Sequence, residues 1–227
     1  SRREMERWIE AGLVQVNGMT SKLGDSATSD DKISVKGRII DNPLKIAYKT
    51  RILLYYKPTG EISSRHDPKH NRTVFDNLPH LKQGRWIQVG RLDINTSGLL
   101  IFTNNGELAN RLMHPKYELE REYAVRVYGQ VSPEVMKVLL KGVQLDDGIA
   151  KFKSIEFKGG EGTNSWYHVV LTEGRNREVR RLWQSQGVEV SRLVRVRYGS
   201  FQLPRSLARG DFVELSNKDV DAFIATL

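Results

Sequence analysis

Gly90-Arg91-Leu92-Asp93-Ile94-Asn95-Thr96-Ser97-Gly98-Leu99-Leu100-Ile101-Phe102-Thr103 sets a single acid, Asp93, in a short polar turn between two apolar runs. The run before it is Trp86-Ile87-Gln88-Val89, and the run after it, 99–102, is long and apolar enough to be a buried strand. A carboxylate so placed stands at the mouth of a sheet. The turn also has a plainer use, because Asp, Asn, Thr, Ser and Gly bond the local backbone or accept positive φ in any strand-to-strand loop. Both readings of Asp93 fit its spacing.

Downstream, Asn104-Asn105-Gly106-Glu107 has the pattern of a helix start, with Asn104 as cap and Glu107 reaching back; Leu108 and Leu112 form its apolar face. Residues 118–128 alternate as a long strand, with Tyr123 on the side of Val125 and Val127, where it serves either as a core aromatic or as a site residue. Ser132-Pro133 and Gly142 bracket a helix as cap, first-turn proline and terminal glycine. Strand periodicity returns over 148–157 and 166–172, and glycines 159, 160 and 162 read as a turn between strands, since no helix follows them as a phosphate loop requires. Residues 176–186 read as a helix with Val179, Leu182 and Trp183 as its buried stripe, stopped by Gly187. At about 100° per residue, Arg180 falls at the edge of that stripe, whereas Arg177 and Arg181 fall nearly opposite it. Arg180 is therefore expected to turn inward toward a carboxylate, and the other two to meet solvent or phosphate. A strand carrying Arg192, Arg195 and Arg197, another at 211–215 and a helix at 217–226 complete the chain.

Upstream, residues 51–56 read as a strand ending in the turn Lys57-Pro58-Thr59-Gly60. We divide the chain into a small unit at 1–41, a linker at 42–50 and a main domain at 51–227. The small unit opens with a helix at 2–11, and Asn17-Gly18 is a type I′ hairpin signal because both residues accept positive φ. His66 and His70 have the spacing of two helical metal ligands, but Pro68 argues against that helix and no third ligand stands out, so no metal is expected.

The chain has 227 residues with 36 Lys and Arg against 27 Asp and Glu, a formal charge of +9 that points to a polyanionic partner. Nine arginines and two glutamates fall within 175–209, so most of the excess sits in one segment, in the residue type suited to bidentate phosphate contacts. There is no cysteine, which excludes disulfides and thiolate metal sites and suits a reducing cytoplasm. No run reaches the roughly 18 apolar residues needed to span a bilayer. The chain begins with Ser1 and not Met, and we take it as shortened rather than processed.

The Asp93 segment closely resembles the motif bearing the nucleophilic aspartate in the RsuA/RluB family of RNA pseudouridine synthases. Tyr55-Tyr56-Lys57-Pro58-Thr59-Gly60 resembles the family's first motif, and Glu120-Arg121-Glu122-Tyr123-Ala124-Val125 the segment with its active-site tyrosine. Leu171-Thr172-Glu173-Gly174-Arg175-Asn176-Arg177-Glu178-Val179-Arg180-Arg181-Leu182 resembles its arginine motif. All four stand in family order, and residues 105–115 and 120–131 are especially similar to the branch acting on large-subunit ribosomal RNA. The small unit, from Ser-Arg-Arg-Glu to Asn17-Gly18, resembles an S4 RNA-binding domain without its first helix.

The resemblance implies an α+β fold: a mixed, largely antiparallel sheet with flanking helices and a central cleft, preceded by a small truncated S4-like unit. It implies isomerisation of a uridine to pseudouridine in large-subunit ribosomal RNA by a monomer, with no cofactor, membrane or protein partner. Asp93 would be the essential carboxylate, Arg180 would pair with it, and Tyr123 would stand beside the target base. Contacts to RNA are expected from Arg2, Arg3 and Arg7 in the small unit, and from Lys57, Arg91, Arg175, Arg177, Arg181, Arg192, Arg195 and Arg197 in the main domain. The rival reading is a non-catalytic RNA-binding or ribosome-assembly protein. It explains the charge equally well, but not an acid in the centre of a basic surface.

Overall fold

The computed structural model describes residues 2–28, 30–42, 49–65, 72–161 and 163–226, with backbone alone at 2 and 161. The chain divides into two compact units, Ser1–Lys49 and Thr50–Leu227. In the first, α1 (Arg2–Glu10) gives way at Gly12, φ 68°, to β1 (Val14–Val16). Asn17 and Gly18, at φ 52° and 83°, turn the chain into β2 (Met19–Thr20), as a type I′ pair does. β3 (Ile33–Val35) and β4 (Arg38–Ile40) form a second hairpin through Lys36-Gly37, and the sheet order is β2-β1-β3-β4.

The second unit starts with β5 (Ile52–Lys57), β6 (Ile87–Val89) and β7 (Ser97–Thr103), followed by α2 (Gly106–Met113), β8 (Arg121–Tyr128) and α3 (Pro133–Lys141). The hairpin β9 (Val143–Leu145) and β10 (Gly148–Ala150) precedes β11 (Ser154–Glu161) and β12 (Asn164–Leu171). Then come α4 (Glu178–Gln184), β13 (Glu189–Tyr198), β14 (Phe201–Gln202), β15 (Phe212–Glu214) and α5 (Asn217–Ile224). Nine strands form one mixed, largely antiparallel sheet of order β11-β12-β8-β13-β7-β5-β15, with β14 on β13 and β6 on β7. Its one parallel junction is β7 against β13, through the pairs Val194 with Ser97 and Arg195 with Gly98. β7 is buried along its whole length because β5, β6 and β13 all pair with it.

Several elements differ from the sequence reading: Gly159 and Gly160 lie inside β11, paired with Trp166 and Ser165, and not in a turn, and the strand expected from 118 starts at Arg121. Asn105, not Asn104, caps α2: its Oδ1 accepts from the Leu108 N–H at 3.1 Å, while Asn104 Oδ1 accepts from the Arg51 N–H at 2.8 Å and is thereby taken up by the start of β5. The strand expected over 148–157 breaks at Phe152, whose N–H donates to the Leu139 carbonyl at 3.0 Å as its ring enters the core beneath α3. Finally, α4 begins at Glu178 and not at 176, because Arg177 is left-handed at φ 50° and ψ 29°.

One core cluster, around Val125, Leu139, Phe152, Tyr167 and Trp183, lies under the β8–β13 half of the sheet. A second, around Leu53, Tyr55, Trp86, Leu100 and Phe102, lies under the β5–β7 half. Tyr123 packs against both, so it sits over the seam where the two halves join.

Candidate active site

The loop that carries Asp93 is pinned by side chains that sequence spacing did not assign to it. Lys57 is fully buried at the end of β5, and its ammonium donates to the carbonyls of Pro58, Asp93 and Thr96 at 2.9, 3.1 and 2.9 Å. Burial pulls this ammonium down to about 8, with Glu61 and Asp93 opposing. Ser63 Oγ donates to the Leu92 carbonyl at 2.8 Å and accepts from the Leu92 N–H at 3.1 Å. Lys57, expected on a flanking phosphate, is therefore corrected: with no exposed surface and three carbonyl acceptors, it braces the loop from within.

From the other side the loop meets the arginine segment. Arg177 Nη1 lies 3.9 Å from Asp93 Oδ2 and donates to Asn95 Oδ1 at 3.4 Å. Arg180 instead donates to the Asn95 and Val190 carbonyls at 2.9 and 3.1 Å. Burial and the neighbouring Arg177 both hold its guanidinium below the ordinary arginine range. The cation that lies against Asp93 is thus Arg177, while Arg180, expected to pair with it, stays within reach of its charge but gives its hydrogen bonds to carbonyls. Counting Arg177 as helical turned it away from the carboxylate; its left-handed backbone turns it back.

The remaining arginines divide by partner. Arg195, expected on phosphate, is 3% exposed; its Nε donates to the Leu99 carbonyl at 2.8 Å and its guanidinium lies over the Tyr198 ring. Its place at the parallel seam buries it against the backbone in the lining of the pocket rather than on the exposed surface. Arg197 is bonded to Glu122 and Glu120 at 2.8 and 2.9 Å, and Arg181 grips both oxygens of Asp147 at 2.9 and 2.8 Å. The Arg181 bonds draw the Asp147 carboxyl down to about 2. Arg175 donates to Glu173 at 2.9 Å and to the Ile149 carbonyl at 2.8 Å. Arg91, Arg177 and Arg192 are exposed in the second unit, and Arg3 and Arg7 in the first; the Arg2 side chain lies outside the described residues.

A pocket of about 570 Å³ opens over the seam and is bordered by Asp93, Tyr123, Arg91, Arg121, Arg177 and Glu178. Its size is that of a small-ligand site, for which about 300–1,000 Å³ is usual. The half-buried Asp93 carboxylate shares the pocket with Glu173, the buried Glu178, an arginine-rich wall and an aromatic ring. Such a site can admit an anionic ligand with a flat ring and offer that ligand a nucleophile or base. Among the described residues no group of three or more His, Cys, Asp or Glu side chains could hold a metal; His66 and His70 lie outside them. Nor is any helix among them long and apolar enough to cross a membrane.

The family model for RNA pseudouridylate synthase matches residues 51–185, which include Asp93, Tyr123 and Arg177. The chain belongs to the RNA pseudouridylate synthase family. This synthase is therefore an enzyme that isomerises uridine in RNA. It is 56% identical over 220 residues to the ribosomal large subunit pseudouridine synthase B of Yersinia pestis, covering 96% of this chain and 69% of that protein. To the protein of the same name in Escherichia coli K12 it is 58% identical over 217 residues, covering 95% of this chain and 75% of the relative. Its fold matches a crystal structure of pseudouridylate synthase with a TM-score of 0.67 at 22% identity, over 97% of this chain and 93% of the other.

Sequence reasoning placed Asp93 and Tyr123, which the structure brings to one pocket. It missed Ser63, Asn95, Glu173 and Glu178. The last two lie inside the arginine motif, but their neighbours there carry no spacing signal that separates them from surface acids.

Proposed function

We propose that this synthase converts a uridine of large-subunit ribosomal RNA to pseudouridine, with Asp93 as the essential carboxylate. The observation that carries this reading is the position of Asp93: in the lining of one pocket with Tyr123, on a loop braced by Lys57 and by Arg180. The substrate class is inferred from the two large-subunit synthases described above. The reaction breaks the bond between N1 of the base and C1′ of the ribose, turns the base, and joins its C5 to the same C1′. The hydrogen on C5 leaves as a proton and N1 gains one, so atoms and electrons balance without redox chemistry or an energy source. A held carboxylate supplies what that sequence needs, a nucleophile or base against the nucleoside.

Arg177 takes the part of aiming Asp93, and Tyr123 stands beside the flipped base. The pocket over the seam is the cleft, and access to it requires the uridine to leave its stack, at a cost of a few kcal/mol. Exposed Arg91, Arg177 and Arg192 would meet the RNA backbone, and the first unit, read as S4-like, would add phosphate contacts through Arg3 and Arg7. The synthase would work as a monomer in the cytoplasm.

The test is tritium release from RNA carrying 5-tritiated uridine, because that hydrogen must leave as the new bond forms. Asp93→Asn keeps shape and hydrogen-bond acceptance but is a poor nucleophile. It is expected to fold and bind RNA normally and to release no tritium. Near-normal release by the folded variant would overturn the role of Asp93. Carbodiimide adducts read by reverse-transcription stops on large-subunit RNA then locate the modified uridine.

A further inference from the structure

Glu178 is 4% exposed and borders the pocket, yet the reaction as derived leaves it without a task. Its N–H donates to the Arg175 carbonyl at 3.3 Å, and its Oε2 accepts from the Arg175 N–H at 3.0 Å. One residue thus closes the 175–178 turn from both sides. Within the turn, Arg177 holds a left-handed conformation that costs a non-glycine residue about 1–2 kcal/mol and persists only where its surroundings impose it. That conformation directs Arg177 toward Asp93.

The second oxygen, Oε1, is buried and receives no donor among the described residues. The Glu173 carboxylate lies in hydrogen-bonding contact with this acid, and two carboxyls can meet only by sharing a proton. Glu173 is the more exposed of the two and is already bound by Arg175 Nε, so the proton belongs on Glu178. Burial, with Glu173 adding to it, pushes the Glu178 carboxyl up to about 7. Of the other charged groups around it, Arg195 gives its Nε to the Leu99 carbonyl and keeps Nη2 unpartnered among the described residues, and three more are bound chiefly to other groups. Arg175 is bound to Glu173, Arg181 to Asp147, and Arg121 to the Leu119 and Thr172 carbonyls.

We propose that Glu178 is a positioning residue of the synthase: as a neutral acid it closes the 175–178 turn and hydrogen-bonds Glu173, and so keeps Arg177 against Asp93. This role rests on the assignment of Asp93 above. Ionisation sets two touching carboxylates against each other, and the turn that aims Arg177 opens.

The experiment measures single-turnover tritium release at saturating enzyme, at pH 6 and pH 8, for the full chain as wild type, Glu178→Gln, Glu178→Ala and Asp93→Asn. With half-ionisation near 7, the neutral fraction falls about tenfold between these pH values, and the wild-type rate is expected to fall with it. Glu178→Gln keeps an acceptor for the Arg175 N–H and a donor for Glu173 but cannot ionise. It is expected to match wild type at pH 6 and to lose the fall at pH 8. Glu178→Ala lacks both bonds and is expected to be slow at both pH values. A Glu178→Gln protein that falls like wild type overturns the proposal, as does a Glu178→Ala protein that keeps wild-type rates. So does a Glu178→Gln protein that melts like wild type yet is slow at pH 6. These results overturn Glu178 alone when wild type releases tritium and Asp93→Asn does not. Release retained by Asp93→Asn, or none from wild type, overturns the assignment of Asp93 and this role with it.

Discussion

At Gly98 the two halves of the large sheet meet backbone to backbone, and a single methyl group there should separate them. A Cβ at this position would lie 2.2 Å from the Arg195 carbonyl oxygen and 2.5 Å from its nitrogen, both backbone atoms that cannot swing aside. Its φ of 110° is also one that L-residues rarely adopt. For Gly98→Ala the backbone term is about 1–3 kcal/mol. Relieving the overlap means moving β13 from β7 by about 1 Å at a junction with only two residue pairs, which weakens its hydrogen bonds at about 0.5–1.5 kcal/mol each. Together these give about 2–6 kcal/mol of destabilisation, or a fall in Tm of about 4–24 °C for a chain of this size. Calorimetry or urea unfolding measures the stability loss. Tritium release below the melting transition measures the site, since Asp93 precedes β7 and Tyr123 pairs with Arg195 across β8 and β13. A Gly98→Ala protein within about 0.5 kcal/mol of wild type, the usual range for harmless surface changes, would refute the argument that the seam is held at backbone contact.

Three further perturbations follow from the same geometry. Lys57→Met keeps the bulk but takes the ammonium donor from three carbonyls, of which that of Asp93 keeps the Thr96 N–H; at about 1–3 kcal/mol for a buried unsatisfied group, it should lower the urea midpoint and slow tritium release while leaving RNA affinity unchanged. Arg192→Ala should lower the salt dependence of RNA binding by roughly one unit in a filter-binding titration, whereas Arg195→Met should leave that slope alone and reduce stability instead. The Glu178 carboxyl is raised in the folded state, so between about pH 4.5 and 7 the unfolded chain has lost a proton that the folded chain keeps, and stability falls as pH rises through that window. Urea unfolding at pH 4.5 and pH 7.5 should show wild type losing up to about 3 kcal/mol relative to Glu178→Gln, and parallel curves would contradict this.

The sequence by itself determined most of the secondary structure of this synthase and singled out its candidate acid. Asp93 between two apolar runs, the Asn17-Gly18 hairpin, and the Ser132, Pro133 and Gly142 punctuation of α3 are local signals, set by backbone preferences and periodicity within a few residues. The seam, and the partners gathered around it, were decided by tertiary structure. Lys57 and Arg195 look in sequence like any cations of a basic chain, but pairing β5 and β13 with β7 buries both and turns their charge onto carbonyls. Arg177 and not Arg180 lies against Asp93, because α4 starts only at Glu178 and Arg177 before it is left-handed, while Arg180 turns to the Asn95 and Val190 carbonyls. A side chain's partner depends on contacts between residues distant in the chain, and those contacts are long-range consequences of packing that no local pattern encodes.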